Sequence, residues 1–194
     1  MQAIITHKSV DFDALASAVA AAKLWPGAFI SIAGGLERNV REFVTLHQGK
    51  LPELESSPFD EPERFNTIIV VDTHHADRLA DLRQRVVDSD VTVYLFDHHP
   101  AEVDVIATPH ATIEPVGATI TLLARELKRR RIKLTPFEAT LFSLGLYEDT
   151  GSFTFSSTTP DDLEAAAWLL AQGANLDVVS GFIERALTPD QRRL

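Results

Sequence analysis

The chain contains no cysteine in its 194 residues, so disulfide bonds and thiolate metal sites are both excluded. Positive charge is also scarce, because 18 lysines and arginines stand against 28 aspartates and glutamates, for a formal net charge of −10. Such a surface is unsuited to non-specific nucleic-acid binding, which depends on a positive field around the protein. A local phosphate site built around a few cations remains compatible with this charge.

Long apolar runs are missing as well. No stretch approaches the length of about 20 apolar residues that is needed to span a bilayer, so we expect no membrane partner. The first ten residues also lack the basic segment followed by a long apolar segment that marks a secretory signal. We therefore expect a cytoplasmic location.

Strand-like and helix-like segments alternate over the first part of the chain. We predict strands at residues 3–6, 28–32, 67–72 and 92–96, two further short strands at 103–107 and 111–113, and a surface loop over the proline-rich residues 49–65. Helices are predicted at residues 14–24, 38–47, 76–87, 118–131, 136–147, 161–172 and 176–186. The pattern predicts an α/β fold with a mainly parallel five-stranded sheet flanked by helices and a helical C-terminal part.

Side chains that bind metals follow three of the predicted strands, and a further acid follows an apolar helix. They are His7, Asp11, Asp13, Asp72, Asp97, His98, His99 and Asp149. An open α/β sheet binds its ligands beyond the carboxyl ends of its strands, so these residues are expected to meet at one edge. Five of the seven histidines directly follow predicted strands, which favours a metal site over scattered surface positions.

Each aspartate also has a structural alternative. Asp13 could cap the helix that begins beside it, and Asp72 could cap the segment after its strand. Asp149 could start an Asx turn before Gly151. Taken together, however, the acids and histidines favour Mn²⁺, Mg²⁺, Fe²⁺ or Zn²⁺. Their number exceeds the needs of one closed site, and it fits two ions about 3.5–4 Å apart that share a carboxylate. Asp72, at the end of the most buried strand, is the natural bridge.

Four motifs in this order resemble the DHH phosphoesterase superfamily: residues 7–14, Val71-Asp72, Asp97-His98-His99 and Asp149-Thr150-Gly151. The resemblance implies a Rossmann-like DHH domain. Residues 38–43, 145–154, 158–162 and 165–170 resemble a narrower group. That group comprises bacterial proteins in which an N-terminal DHH module precedes CBS domains and a tRNA nucleotidyltransferase or poly(A) polymerase module.

The resemblance also implies a role for each site residue. His7, Asp11 and Asp72 would hold one metal ion, and the second would be held by Asp13, Asp72, His98 and Asp149. His99 would face the scissile phosphate, and Asp97 would support the histidines. The ions implied are two Mn²⁺, with Mg²⁺ as the alternative. Arg78 would bind a second phosphate, or would instead pair with Asp77 or Asp81. His74 and His75 are additional imidazoles that could alter the choice of metal.

The implied function is that of a hydrolase, a dinuclear metal-dependent phosphoesterase acting on nucleotides or short RNA. The alternative is a non-catalytic or regulatory domain of a tRNA nucleotidyltransferase or poly(A) polymerase, with tRNA as the partner of the longer protein. We expect residues 1–187 to form the DHH domain and residues 188–194 to begin a linker to a further domain. In the superfamily, a smaller second domain closes over the substrate, and this sequence contains nothing that resembles it.

Overall fold

The computed structural model describes residues 1–32, 34–55, 64–79, 83–87, 90–100 and 105–186. Within these ranges six strands form one sheet, in the order β3-β2-β1-β4-β5-β6. They are β1 (Gln2–Ile5), β2 (Phe29–Ser31), β3 (Leu54–Glu55), β4 (Thr67–Val71), β5 (Thr92–Asp97) and β6 (His110–Ile113). All five neighbouring pairs run parallel. The predicted α/β class with a parallel sheet is therefore confirmed.

The helices cover the sheet and form most of the chain after β6. They are α1 (Phe12–Leu24), α2 (Arg38–His47), α3 (Arg83–Val87), α4 (Thr119–Arg129), α5 (Pro136–Asp149), α6 (Pro160–Ala171) and α7 (Leu176–Ala186). Local sequence explains several of their starts. Thr135 and Glu138 form a capping box at α5, with Pro136 in the first turn. None of the helices in the described ranges is long and apolar enough to cross a membrane.

The strand count differs from the predicted five. Leu54–Glu55 forms β3 inside the segment predicted as a loop, and it pairs with β2 at Ile30 and Ser31. The strand predicted at 103–107 is not found in its described part, residues 105–107, where Val105 makes only an isolated bridge to His75. A strand of two residues shows almost no hydrophobic periodicity. The prolines near β3 therefore led to the prediction of a loop.

Two further predictions concern the helix after β4 and the end of the chain. The helix predicted over residues 76–87 is divided into a 3₁₀ turn, Ala76–Arg78, and the short helix α3. The predicted linker at residues 188–194 lies outside the described residues.

Apolar side chains form a core on each face of the sheet. One core joins Ile4, Ile69 and Val71 with α1, α4 and α5. The other joins residues of β1, β4 and β5, such as Ile5, Ile68 and Leu95, with apolar side chains from the segments between strands and from α3. Alternate strand residues enter opposite cores, as expected of a parallel sheet that is covered on both faces.

Registers align the carboxyl ends of the three central strands. Ile5 of β1 lies beside Val70 of β4, and Val71 of β4 lies beside Phe96 of β5. The residues that follow these strands therefore emerge side by side at one edge. The first turn of α1 and the last turn of α5 reach the same edge, where Gly145 packs against the start of α1.

Two helical glycines provide a test of this packing. A Cβ at Gly145 would lie 2.9 Å from both Asp13 Cα and Phe12 O, and these are backbone atoms that cannot easily move. Gly145→Ala should therefore lower the free energy of unfolding by about 1–3 kcal/mol. Gly181→Ala, on α7, meets no atom within 4 Å and should instead stabilise by up to about 1 kcal/mol. Chemical denaturation measures both, and equal effects would contradict the close approach of α5 to α1.

Candidate metal centre

Asp72 lies at the middle of the edge, directly after β4. Its backbone is in the left-handed region, with φ of 61°, which is uncommon for a residue other than glycine and typical of functional sites. The side chain is 1% exposed. Asp72 Oδ1 accepts a hydrogen bond of 2.8 Å from Thr119 Oγ1, and His7 Nε2 lies 3.1 Å from Asp72 Oδ2. The backbone turn thus directs the carboxylate between the ends of β1 and β5.

The first group of candidate ligands is His7, Asp11 and Asp72, whose ligand atoms lie within 4.8 Å of one another. His7 Nδ1 lies 2.7 Å from the carbonyl oxygen of Lys8, an acceptor that requires the proton on Nδ1. Nε2 is then left to bind a cation. Asp11 is the N-cap of α1 through its Oδ1, which accepts from Ala14 N at 2.9 Å. Asp11 Oδ2 lies 3.8 Å from His7 Nε2.

The second group is Asp13, Asp72, His98 and Asp149, which also offer ligand atoms within 4.8 Å of one another. His98 Nε2 lies 3.1 Å from Asp149 Oδ2 and 3.7 Å from Asp72 Oδ1. This nitrogen is buried and makes no hydrogen bond of acceptable geometry within the described chain. His98 Nδ1 lies 3.2 Å from Val116 O, an orientation that turns Nε2 toward the acids. Asp72 belongs to both groups. It also belongs to a third, overlapping set with Asp97, His98 and His99, whose ligand atoms lie within 4.8 Å of one another as well.

Asp13 is completely buried and receives backbone hydrogen bonds from the start of α4. Thr119 N donates to its Oδ2 at 2.6 Å, and Ile120 N donates to its Oδ1 at 2.9 Å. These are amides that a helix leaves without internal partners. Asp13 therefore connects α1 to α4. Its Oδ1 also accepts a longer hydrogen bond, of 3.4 Å, from Ser17 Oγ, whereas Oδ2 retains a lone pair for a cation. The capping alternative considered for Asp13 does not occur at α1, where Asp11 is the cap.

The carboxylates of the two groups are buried and repel one another. Burial raises the pKa of Asp13 and Asp72 well above the ordinary range, and repulsion from neighbouring carboxylates adds to the shift. Burial also raises the pKa of Asp11. Burial alone would lower the pKa of His98, but Asp149, Asp13 and Asp72 outweigh it and raise that pKa to about 10. A divalent cation would relieve this repulsion, so the donor set fits hard or borderline metal ions.

His99 is oriented by Asp97, next to the second group. Asp97 is fully buried, and its Oδ1 accepts from His99 Nδ1 at 2.7 Å and from His99 N at 3.2 Å. Burial by itself would raise the pKa of Asp97, but these hydrogen bonds lower it. Asp97 Oδ2 contacts the ring of His74. The prediction that Asp97 supports both histidines of its motif needs correction, because it contacts His99 and His74, whereas His98 is oriented by a backbone carbonyl.

Arg78 is exposed on the 3₁₀ turn after β4 and belongs to neither ligand group. Its predicted pairing with Asp77 is not found, because Asp77 pairs with Arg83 at 2.6 Å. Asp81, the other predicted partner, lies outside the described residues. Arg78 lines a cleft with His75, Arg83 and Val105. Its predicted role toward a second phosphate remains a prediction.

Two residues of the edge were not predicted. Thr119 connects Asp72 to α4, and the preceding glycine and alanine gave no sign of this contact. Glu148 accepts from Phe12 N at 2.7 Å and from Asn39 Nδ2 at 3.0 Å, joining α5 to the starts of α1 and α2. Burial raises the pKa of Glu148 to about 7. Its position beside Asp149 was the only signal in the sequence.

A family model and a similar protein of known name both assign the chain to the same family. The model of the "DHH family, N-terminal domain" matches residues 2–146. An A-adding tRNA nucleotidyltransferase of Geobacter sulfurreducens is 39% identical over 98% of this chain, which spans only 22% of that protein. The predicted resemblance to tRNA nucleotidyltransferases with a DHH module is thereby confirmed.

Two more distant relatives are named for phosphate chemistry. A "probable manganese-dependent inorganic pyrophosphatase" of Staphylococcus saprophyticus is 28% identical, over 93% of this chain and 58% of that protein. An exopolyphosphatase-related protein of Bacteroides fragilis has a solved structure that matches with a TM-score of 0.77 at 19% identity, over 99% of this chain and 58% of that one. This last likeness concerns the fold alone.

The raised pKa values of these buried groups predict how the stability of the metal-free protein depends on pH. Folding raises the pKa values of Asp13, Asp72 and His98, so the folded protein holds protons that the unfolded chain releases. The stability present below the unfolded pKa values is lost as pH rises through the folded ones. In the presence of a chelator, the free energy of unfolding should therefore fall as the pH rises from about 6.5 to about 10, the ordinary and the folded pKa of His98.

Denaturant titrations at several pH values measure this slope, and Asp72→Asn is the matched variant because asparagine tolerates a positive φ. Asp72→Asn should flatten the slope. Acids whose pKa is lowered, such as Glu138, titrate below the tested range and do not interfere. Stability that rises with pH in the chelator would contradict the pKa directions.

Proposed function

The chain belongs to the DHH family, and from this premise we propose that it is a metal-dependent phosphoesterase acting on phosphate esters of nucleotides or short RNA. The observation that carries the proposal is the pair of adjoining ligand groups that share Asp72. A shared carboxylate is the usual arrangement in enzymes that cleave phosphate esters with two cations. His99 belongs to neither of these two groups, although it forms with Asp72, Asp97 and His98 a third set whose ligand atoms also lie within 4.8 Å of one another.

The cations proposed are two Mn²⁺, with Mg²⁺ as the alternative. His7, Asp11 and Asp72 would hold the first, and the second would be held by Asp13, Asp72, His98 and Asp149. Carboxylates and imidazoles without thiolates suit these ions, and the pyrophosphatase relative is named as manganese-dependent. When bound, such ions activate water and offset the negative charge that develops on the phosphoryl group.

The residues of the chain have separate tasks in this proposal. His99 is 41% exposed at its side chain, whereas Asp97 beneath it is inaccessible. Because His99 Nδ1–H donates to Asp97, Nε2 is left for the substrate, and a proton on Nε2 as well would let it donate to a phosphoryl oxygen. A fixed donor at this point stabilises the charge of the transition state more than that of the ground state.

Short substrates fit the charge of the chain better than long polymers. A net charge of −10 leaves few cations to follow an extended phosphate backbone. Arg78 is the cation we propose for a second phosphate of a nucleotide, because it is exposed and its neighbour Asp77 is already paired with Arg83. A dinucleotide or a nucleotide with two separate phosphates would use both the metal centre and Arg78.

A second candidate function is a non-catalytic or regulatory module of a tRNA nucleotidyltransferase. It is favoured by the relative with 39% identity, whose name describes nucleotide addition to tRNA and of which this chain spans about a fifth. Such a module would bind a metal or a nucleotide without hydrolysing it. Turnover therefore separates the two functions, and metal binding alone does not.

Metal stoichiometry tests the shared carboxylate. Titration calorimetry or elemental analysis should give about two Mn²⁺ per chain. Asp72→Asn should weaken both sites, because it removes a charged ligand common to both groups. Asp161→Asn, which alters an exposed acid on α6 outside both groups, is the control and should bind as the unaltered protein does. Full binding by Asp72→Asn would eliminate Asp72 as the bridge.

Hydrolysis tests the division between the two histidines. The substrates are adenosine 3′,5′-bisphosphate, a dinucleotide, short RNA, a cyclic dinucleotide and pyrophosphate, each with Mn²⁺. His99→Ala should lower kcat by about 100-fold or more while metal stoichiometry is retained. His98→Ala should lose metal as well as activity, and His110→Ala, at the exposed start of β6, should change neither.

Two outcomes would contradict the proposal. No turnover of any of these substrates by metal-loaded protein would favour the regulatory module. Equal loss of metal in His99→Ala and His98→Ala would contradict the separate tasks of these histidines.

A further inference from the structure

His74 is a buried imidazole close to the centre that the proposed function does not use. It is 1% exposed and lies two residues after Asp72, in the segment that follows β4. Its Nδ1 contacts Asp97 Oδ2, and its Nε2 makes no hydrogen bond within the described chain. His74 is absent from both ligand groups. Among the described residues, the polar contact of its ring is therefore with the carboxylate that holds His99.

The two oxygens of Asp97 are divided between two rings. Oδ1 accepts both hydrogen bonds from His99, and Oδ2 is left to His74. Because Asp97 is fully buried, no water is available to replace a lost donor at Oδ2. An unpaired carboxylate oxygen in such a place is costly, and rotation of the carboxylate to find another donor would disturb its bonds to His99.

Proton positions follow from this division. The ionised carboxylate of Asp97 only accepts hydrogen bonds, so the Nδ1 atoms of both His74 and His99 carry protons. The Nε2 atom of His74 is buried and has no hydrogen-bond partner within the described chain, so the ring is held through Nδ1. In His99 the same arrangement leaves Nε2 at the partly exposed side of the ring. The segment after β4 and the end of β5 thus fix the His99 ring together.

We propose that His74 is a positioning residue for His99: it fixes the Asp97 carboxylate, which accepts from His99 Nδ1–H and so holds the ring with Nε2 toward the substrate, where a protonated Nε2 donates to a phosphate oxygen. This inference rests on the proposed phosphoesterase function for its effect on rate. Its effect on the His99 ring does not depend on turnover. The backbone contributes to the same link, because Ile106 N donates to His74 O at 2.9 Å and secures the segment that carries the ring.

The tautomer is measured directly by long-range ¹H–¹⁵N spectra of the imidazoles in metal-free or Mg²⁺-loaded protein. The unaltered protein should show His99 as the Nδ1–H form. His74→Leu, which removes the donor, should give a mixture of tautomers at His99. His74→Asn, whose amide can donate from a position close to Nδ1, should restore the single form. An unaltered protein with His99 as the Nε2–H form would overturn the proposal, whether or not the chain hydrolyses anything.

Kinetics supply the second measurement. His74→Leu should lower kcat by about 10- to 100-fold, as is typical when the partner that orients an active-site histidine is removed. Metal stoichiometry and KM should change little, and His74→Asn should recover most of the rate. In a His99→Ala background, His74→Leu should have almost no further effect, since residues that act through one another are not additive. Additive losses, or loss of metal in His74→Leu at intact folding, would overturn the proposal.

The design separates the two hypotheses. If no substrate is turned over but the tautomer follows His74, the phosphoesterase function fails and the positioning role stands. If substrates are hydrolysed and His74→Leu changes neither tautomer nor rate, the positioning role fails alone. Should His74→Leu not fold, His74→Phe, which keeps a ring in this place but has no donor to Asp97, takes its place in both measurements.

Discussion

The constraint on which this structure depends is the burial of several carboxylates of like charge at one edge of a parallel sheet. Each carboxylate is retained there by donors from a different element. Asp13 is held by the first amides of α4, Asp72 by the Thr119 hydroxyl and Asp97 by two imidazoles. These hydrogen bonds fix where the oxygens lie, yet burial, and after it repulsion among the carboxylates, still raises the pKa of Asp13 and Asp72. A divalent cation bound at this edge would offset that repulsion.

The same constraint explains how the helices are arranged around the sheet. An acid on α1 that accepts from α4 requires the two helices to meet end to side, and Gly145 lets α5 approach the same turn of α1 without a side chain between them. Glu148 then joins the end of α5 to the starts of α1 and α2. The apolar core stabilises these helices as a group, whereas the polar contacts at their ends decide their register against the strands. Alterations at the edge should therefore affect packing and ligand geometry together.

The sequence predicted the features that depend on neighbouring residues in the chain. It did not predict contacts between residues that are far apart in the chain. Runs such as Thr67–Val71 predict buried strands, and the polar residues directly after them predict the edge at which ligands gather. The two-residue strand β3 depends on its neighbour β2, and its own prolines and acids suggested a loop. Thr119 and His74 were assigned no contact because their partners, Asp72 and Asp97, become neighbours only through the order of the strands. Periodicity identifies which residues are buried, but it does not pair a hydroxyl or an imidazole with one acid among several.

The adjacent histidines His98 and His99 show how much depends on such pairings. They are the same residue type in consecutive positions, yet their Nδ1 atoms find different acceptors. His98 meets the neutral carbonyl of Val116, as His7 meets that of Lys8, and in both cases Nε2 is turned toward aspartates that could share a cation with it. His99 meets the carboxylate of Asp97 instead, and the other oxygen of that carboxylate contacts the ring of His74. The order of the strands, which brings Asp97 beside the segment after β4, therefore gives two adjacent histidines different surroundings.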